Sequence, residues 1–428
     1  MTGLNEHPMR RQLAEELHAR PYGAYYSPIK VSHLAAVTGE EDPSKDREHV
    51  AKLCQMMAVK PPSEKDGHFL INLGPCWLKW ERHTEFSTYT FYEEEAESGA
   101  FKEPVLRHIP EDWIGRIPGQ IMVATHLFVM GKAEREYTVE EIAGFFDGNT
   151  VTGSHVLGRR AEIWTDYMLQ ADGFTRLLIR DRALSGRQTG RLIQRMLEVE
   201  TYRLLAMLAF PVARRFQPKA VEAEQKLGAI VSELSELDEM EAAKRMLKDL
   251  STLSAELEQI RLATGYRFAA ARAYYGLVTQ RLSELREERM EGVQPTGEFV
   301  ERRTAPAMRT CDSLSERLET LSRRTARASD LLRTQVNVAL EEQNRNLLQS
   351  MDRRAHVQLR LQETVEGLSV VAISYYLVGL VLYGAKAAKG AGLPINPEIA
   401  VGIAIPAVIA LVWTGVRRLR KALSKGDE

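Results

Sequence analysis

The sequence predicts an α+β or α/β cytoplasmic domain, a long antiparallel helical stalk and a C-terminal two-helix transmembrane hairpin. Three observations carry this. Strand-type and helix-type patterns interleave over the first 210 residues, a long helical periodicity follows, and two uncharged apolar runs come last. The expected divisions are 1–210 for the cytoplasmic α/β domain and 211–366 for a coiled-coil-like stalk. The hairpin takes 367–416, with spans at 367–385 and 399–416, and 417–428 is a basic cytoplasmic tail.

A chain of 428 residues suits two or three domains. Its 57 Lys+Arg balance 58 Asp+Glu to a net charge of −1, so no nucleic-acid partner is expected. Three cysteines, Cys54, Cys76 and Cys311, cannot build a disulfide framework and point to a reducing cytoplasm. The first 20 residues hold six charges and two histidines, so no signal peptide is expected there.

The elements follow in order. Asn5 can cap a first helix, Pro8 suits its first turn, Met9, Leu13 and Leu17 share a face, and Arg20-Pro21 stops it. Between 69 and 92 the period changes to two in FLINL, CWLKWERH and EFSTYTFY, with breaks at Gly74-Pro75 and around His83. Further strands are expected at 121–130, 150–156, 162–168 and 174–180, and helices at 139–145 and from 187 to about 210. Pro211 and Pro218 mark the change to the stalk. In it Leu227, Val231, Leu234 and Leu237 keep a 3/4 spacing, as do Met246, Leu250, Leu253, Leu257 and Ile260. GVQPTG at 292–297 turns the chain into a second long helix, from about Phe299 past Pro306 to the first apolar run.

That run (367–385) has 19 uncharged residues and the next (399–416) has 18, each close to a bilayer's hydrocarbon thickness of about 30 Å. Tyr383 and Trp413 lie near their ends, where interfacial aromatics belong. The connection at 386–398 is rich in Gly and Pro. Arg417, Arg418, Arg420, Lys421 and Lys425 outweigh its two lysines, so both termini are expected in the cytoplasm of a multi-pass protein.

Local chemistry is sparse. Nine of the ten histidines precede residue 156, yet no His-Glu-x-x-His or Cys-x-x-Cys occurs. Glu81, His83 and Glu85 would share a face on a continuous strand, where an exposed polar face outweighs a metal site. GNTVTGS at 148–154 has phosphate-loop glycines but Ser154 in place of lysine, so it reads as a hairpin turn. With no Gly-x-Ser-x-Gly elbow either, no enzyme and no cofactor are expected. Arg159-Arg160 and Arg214-Arg215 are the basic pairs an RNA could meet. One 3/4 phase of the membrane-directed helix, through Asn337, Glu341, Asn344, Leu348, Met351, Ala355, Gln358, Gln362, Val365, Ser369, Ala372, Tyr376, Gly379 and Tyr383, is polar or small for much of its length. Such a seam suits an oligomer interface or a water-filled axis.

Two resemblances add to this reading. HPMRRQLAEELHARP (7–21), VSHLA (31–35), WERHTEFSTYTF (80–91) and EVETYRLLAMLAFP (198–211) resemble the domain of unknown function 3422 family. Those are bacterial, predicted membrane-anchored proteins with no assigned activity. The order of domain, stalk helix and hairpin resembles the CorA-type magnesium transporters, which are pentamers with a pore-lining first span. RLQETVEGLSVVA (360–372) resembles the start of their pore helix, and Tyr383-Gly384 the start of their Tyr-Gly-Met-Asn signature. Ala385 and Lys386 stand where Met and Asn should be, and a ring of lysines would repel cations. The expected role is a membrane-anchored homo-oligomeric scaffold in the bacterial inner membrane, a pentamer if CorA-like, with an unknown protein partner. The alternative is an ion channel or transporter related to the CorA type with a degenerate Gly-Met-Asn signature.

Overall fold

The structure, a computed structural model, describes residues 6–11, 13–14, 23–39, 44–63, 67–94, 99–234, 240–391, 394 and 396–423. Much of the expected first helix, including Asn5, Leu17 and Arg20-Pro21, lies outside them, as do Leu237 and Lys425. The chain divides into two units, one of residues 1–237 with 245–329, the other of 238–244 with 330–428.

The first unit is built on a nine-stranded mixed sheet. Its strands are β1 (Ile29–Val37), β2 (His68–Asn72), β3 (Trp77–Arg82), β4 (Phe86–Glu94), β5 (Gln120–Met130), β6 (Thr152–Val156), β7 (Ala161–Thr165), β8 (Thr175–Asp181) and β9 (Glu288–Arg289). They lie in the order β2-β3-β4-β1-β5-β8-β7-β6-β9. Every neighbouring pair is antiparallel except β5 with β8, which joins the two halves in parallel. The first strand in the sequence is thus a central one, held between β4 and β5 and buried over eight of its nine residues. The alternating runs at 69–92 form β2 to β4 as expected: β3 buries alternate residues, Leu78 and Trp80, while the more central β4 is buried from Phe86 to Tyr92.

Helices cover both faces. On one lies α1 (Ser44–Met56), whose Val50, Leu53 and Cys54 pack with Trp113 of the single-turn α2 (Glu111–Ile114) against Leu34, Leu78, Trp80, Tyr89 and Phe91. Fully burying a side chain such as Leu53 or Phe91 contributes about 2 kcal/mol. Further along this face Ile142 of α3 (Val139–Ala143) and Phe146 meet Phe128, Met130, Trp164 and Leu178. The opposite face is covered by α4 (Gly186–Met207), through Leu192, Ile193, Met196 and Leu197. Gly190 is required there, since a Cβ would run into the carbonyl oxygen of Gly23. The GNTVTGS segment leads into β6 instead of forming a hairpin turn, and its Ser154 is buried in that strand.

Three long helices follow: α5 (Ala209–Leu234), α6 (Met240–Leu285) and α7 (Thr296–Gly390). Pro211 and Pro218 both lie inside α5 and end nothing. The leucine stripe of α6 is buried as the spacing requires (Leu250, Leu253, Leu257, Ile260), and ion pairs tie α6 to two other helices rather than one. Lys226 of α5 pairs with Glu256 of α6 at 3.1 Å, Arg272 of α6 with Asp312 of α7 at 3.4 Å, and Arg317 of α7 with Glu224 of α5. The last turn of α6 reaches the sheet core through Leu282 and Leu285. Glu287, just before β9, caps the first turn of α7, its two carboxylate oxygens accepting the Gly297 N–H at 3.1 and 3.0 Å.

These findings correct the expected layout. The described residues show a mixed sheet continuous with packed helices and one long C-terminal helix, and no CorA-type stalk and hairpin arrangement. Tyr383, Gly384, Ala385 and Lys386, placed by the sequence in a signature loop, are helical, because α7 runs on to Gly390. The transport alternative loses the support it drew from that layout.

In the second unit α7 continues from Asp330, and α8 spans Pro397–Leu423. Both contain stretches long and apolar enough to cross a membrane, and almost none of either stretch is buried.

Candidate functional site

The chemically richest concavity is a cleft of about 270 Å³ in the first unit, between the β1–β4–β3 part of the sheet and α4. Sequence alternation places its floor. His33 of β1 and Thr88, Thr90 and Tyr92 of β4 point to the α4 side, while their neighbours Leu34, Tyr89 and Phe91 pack on the opposite core. Lys79 and Glu81 of β3 continue the same face, and His83 and Phe86 flank the hairpin turn between β3 and β4. From α4 come Gln194, Leu197, Glu198, Thr201 and Tyr202, at helical spacing, and α6 adds Arg281.

His33 ties three elements together. Its Nδ1 lies 2.8 Å from Thr90 Oγ1, and its Nε2 lies 3.1 Å from Thr201 Oγ1. The Thr201 hydroxyl gives its single proton to the Leu197 carbonyl at 2.8 Å. It must therefore accept from His33, which puts the imidazole proton on Nε2. Burial, aided by Lys79 and His83, lowers the His33 pKa to about 3, so the ring is neutral. A neutral ring protonated on Nε2 accepts at Nδ1, and Thr90 is the donor there.

One wall is a ladder of charge. Lys79 Nζ pairs with Glu81 at 2.9 Å and reaches Gln194 Oε1 at 3.4 Å. Gln194 Nε2 donates to Glu198 at 2.7 Å, and Arg281 closes the series on the other Glu198 oxygen. At the turn, His83 stacks on Phe86 with centroids 4.2 Å apart, and Tyr202 meets Phe86 edge to face. Glu81 and His83 thus line a cleft instead of an exposed strand face. Glu85 is buried and bound by Arg267 and, at 3.3 Å, by Tyr266. Among the described residues no group of three or more His, Cys, Asp or Glu is placed to hold a metal ion.

The cysteines are buried and free, and burial pushes the Cys76 thiol up to about 12 and the Cys311 thiol to about 11. Thiols so far from ionisation are poor nucleophiles.

The polar seam occupies one long surface of α7. Asn337, Asn344, Gln358, Gln362, Ser369, Ala372, Tyr376 and Tyr383 are all exposed, and Gly379 is half-buried. Ser374 is the buried position in this apolar stretch, and at about 100° per residue it points roughly half a turn away from the seam. The residues shielded within the chain and the seam are therefore on opposite sides of the helix. From Arg333 to Val365 every residue but the half-buried Val336 is exposed, including Leu340, Leu347, Leu348, Met351, Leu361 and Val365. At 3/4 spacing these fall on the seam side. Of the four signature positions, Ala385 is half-buried and Tyr383, Gly384 and Lys386 are exposed.

Sequence reasoning missed the cleft, because its residues come from five elements. It had one usable signal, the unbroken polar alternation of Lys79-x-Glu81 and Thr88-x-Thr90 on neighbouring strands. No curated protein matches the chain. A family model described as "Protein of unknown function (DUF3422)" matches residues 5–423, nearly the full length, and the chain belongs to that family.

Proposed function

We propose that this protein is a membrane-anchored homo-oligomer that acts as a non-enzymatic scaffold, presenting its sheet domain to a protein partner at the bacterial inner membrane. The observation that carries the reading is the bare surface of α7. A solvated helix with leucines at heptad-like spacing gains little by remaining single, since helices in proteins draw most of their stability from packing an apolar face. Leu340, Leu347, Met351, Leu361 and Val365 are all more than 40% exposed, and the stripe continues into the small and polar face of Ser369, Ala372 and Gly379. Within a bilayer small residues let helices approach closely, which suits the same face in a second copy of the chain. The apolar stretches of α7 and α8 supply two spans, and the arginine excess after the second keeps both termini in the cytoplasm. The raised thiols and the fully engaged His33 ring favour binding over covalent catalysis.

Native mass spectrometry in mild detergent tests the assembly. The expected result is a defined oligomer for the natural sequence and monomer for Leu347→Glu combined with Leu361→Glu. A monomer in both removes the oligomer reading. Cysteine labelling at Asn396 tests the topology, which fails if the residue is modified only from the cytoplasmic side.

A further inference from the structure

We propose that the cleft between β1, β3, β4 and α4 binds a small, neutral, hydroxyl-rich ligand of the size of a single sugar ring or cyclic polyol. This goes beyond the scaffold reading and does not depend on it, since every lining residue lies in the first unit.

Size sets the first bound. A volume of about 270 Å³ sits just under the roughly 300–1,000 Å³ typical of sites for drug-sized molecules, a size that suits one small ring.

Charge sets the second. The lining holds two cations, Lys79 and Arg281, and two carboxylates, Glu81 and Glu198, each cation already paired with a carboxylate. An anion or a cation would leave one charge in excess in a part-buried site. A zwitterion would have to pull the 2.9 Å Lys79–Glu81 pair apart to use both members. A hydroxyl group avoids both costs, because it donates to a carboxylate and accepts from an ammonium without separating them.

Hydrogen-bond polarity agrees. Lys79 spends two of its three N–H donors on Glu81 and Gln194. Each oxygen of Glu198 accepts one bond from the chain, which leaves each a further lone-pair direction. Thr90 is fixed as a donor to His33, so its oxygen offers acceptor capacity at the floor, and Thr88 adds a second hydroxyl beside it. The cleft therefore offers one N–H donor, on Lys79, and acceptor oxygens on Glu198, Thr90 and Thr88, whose own proton goes to the Glu81 carbonyl at 3.4 Å, a set that the hydroxyls of a polyol can meet. The half-buried Tyr202 gives the cleft an aromatic edge, while Phe86 beside it is covered by the stacked His83 ring.

The test uses the full chain in a detergent without a sugar headgroup and ligand-observed saturation-transfer NMR. The probes are glucose, myo-inositol and glycerol, with glutamate and inorganic phosphate as charged competitors. We expect at least one of the three polyols to bind, and binding to weaken tenfold or more in Thr88→Val and in Gln194→Met. Each substitution removes a polar group from the cleft while conserving volume. Unchanged urea midpoints show that both variants remain folded, and the Leu347→Glu, Leu361→Glu chain should bind as the natural one does, which separates this inference from the oligomer reading. Binding of none of the polyols, binding that survives both cleft variants, or tighter binding of glutamate or phosphate each overturns it.

Discussion

Acidification should unfold the sheet domain well above the range in which carboxylates titrate, and His33 should account for a measurable share of the effect. The ring is 4% exposed and its folded pKa is about 3, against about 6.5 in the unfolded chain. Between those two values the unfolded state binds the extra proton, so stability rises with pH and is lost as pH falls below about 6.5. From pH 7.5 to 5.0 the linkage integral for one such histidine is about 2 kcal/mol. His126, 6% exposed and stacked on Phe174, and His49, stacked on Trp113, are each lowered by burial to about 4 and act in the same direction. His33 and His126 thus remove about 4 kcal/mol over that window, with His49 adding in the same direction, against a usual domain stability of about 5–15 kcal/mol. Urea unfolding followed by tryptophan fluorescence suits the assay, because Trp77, Trp80, Trp113 and Trp164 all report on the sheet. His33→Gln should be less stable than the natural protein at pH 7.5, yet lose about 2 kcal/mol less on going to pH 5.0. If the variant and the natural chain lose stability equally over that interval, the neutral buried His33 is refuted.

Two further outcomes follow from buried charge and capping. Asp46 is 1% exposed and receives Arg82 at 2.7 Å and the Ser87 hydroxyl at 2.6 Å. Arg82→Ala should therefore cost about 3–5 kcal/mol, part of it recovered when Asp46→Asn is added; equal urea midpoints for Arg82→Ala and the natural chain would rule this out. Glu287→Ala removes the carboxylate at the start of α7 and should cost about 1–2 kcal/mol. Hydrogen exchange at the Gly297 amide should rise in the variant, and an unchanged rate argues against the cap.

The legible parts of the fold were those whose two faces differ. β3 and β4 carry polar residues toward the cleft and large apolar ones toward Trp113, so their alternation shows in the sequence. β1 gave no such sign: Ile29 to Ala36 are buried on both sides, and a doubly buried strand reads as an unpatterned run. α1 was hidden for the opposite reason, since SKDREHVAKLCQM is mostly polar and commits only a narrow stripe of Val50, Leu53 and Cys54 to the core. The leucine periods of α6 were plain, but periodicity tells that a face is covered and not how many helices cover it. The misplaced signature at Tyr383-Gly384 rested on two residues, too few to fix a loop against a helix that continues to Gly390. No spacing rule could have assembled the cleft, where His33 and Thr201 touch across 168 residues.

The closing strand of the sheet is also the last to be synthesised. Glu288 and Arg289 pair with β6, and Leu282 and Leu285 enter the core beside α4, so a chain cut at residue 210 lacks part of its own interior. On the ribosome the unfinished sheet must wait for α6, with its β6 edge and the core under α4 open to water and to other nascent chains. Only then does the apolar end of α7 emerge. That stretch thus emerges after the sheet has its full complement of strands, so a truncation meant to keep the sheet domain whole should end beyond residue 289 and not at the helix break near residue 208.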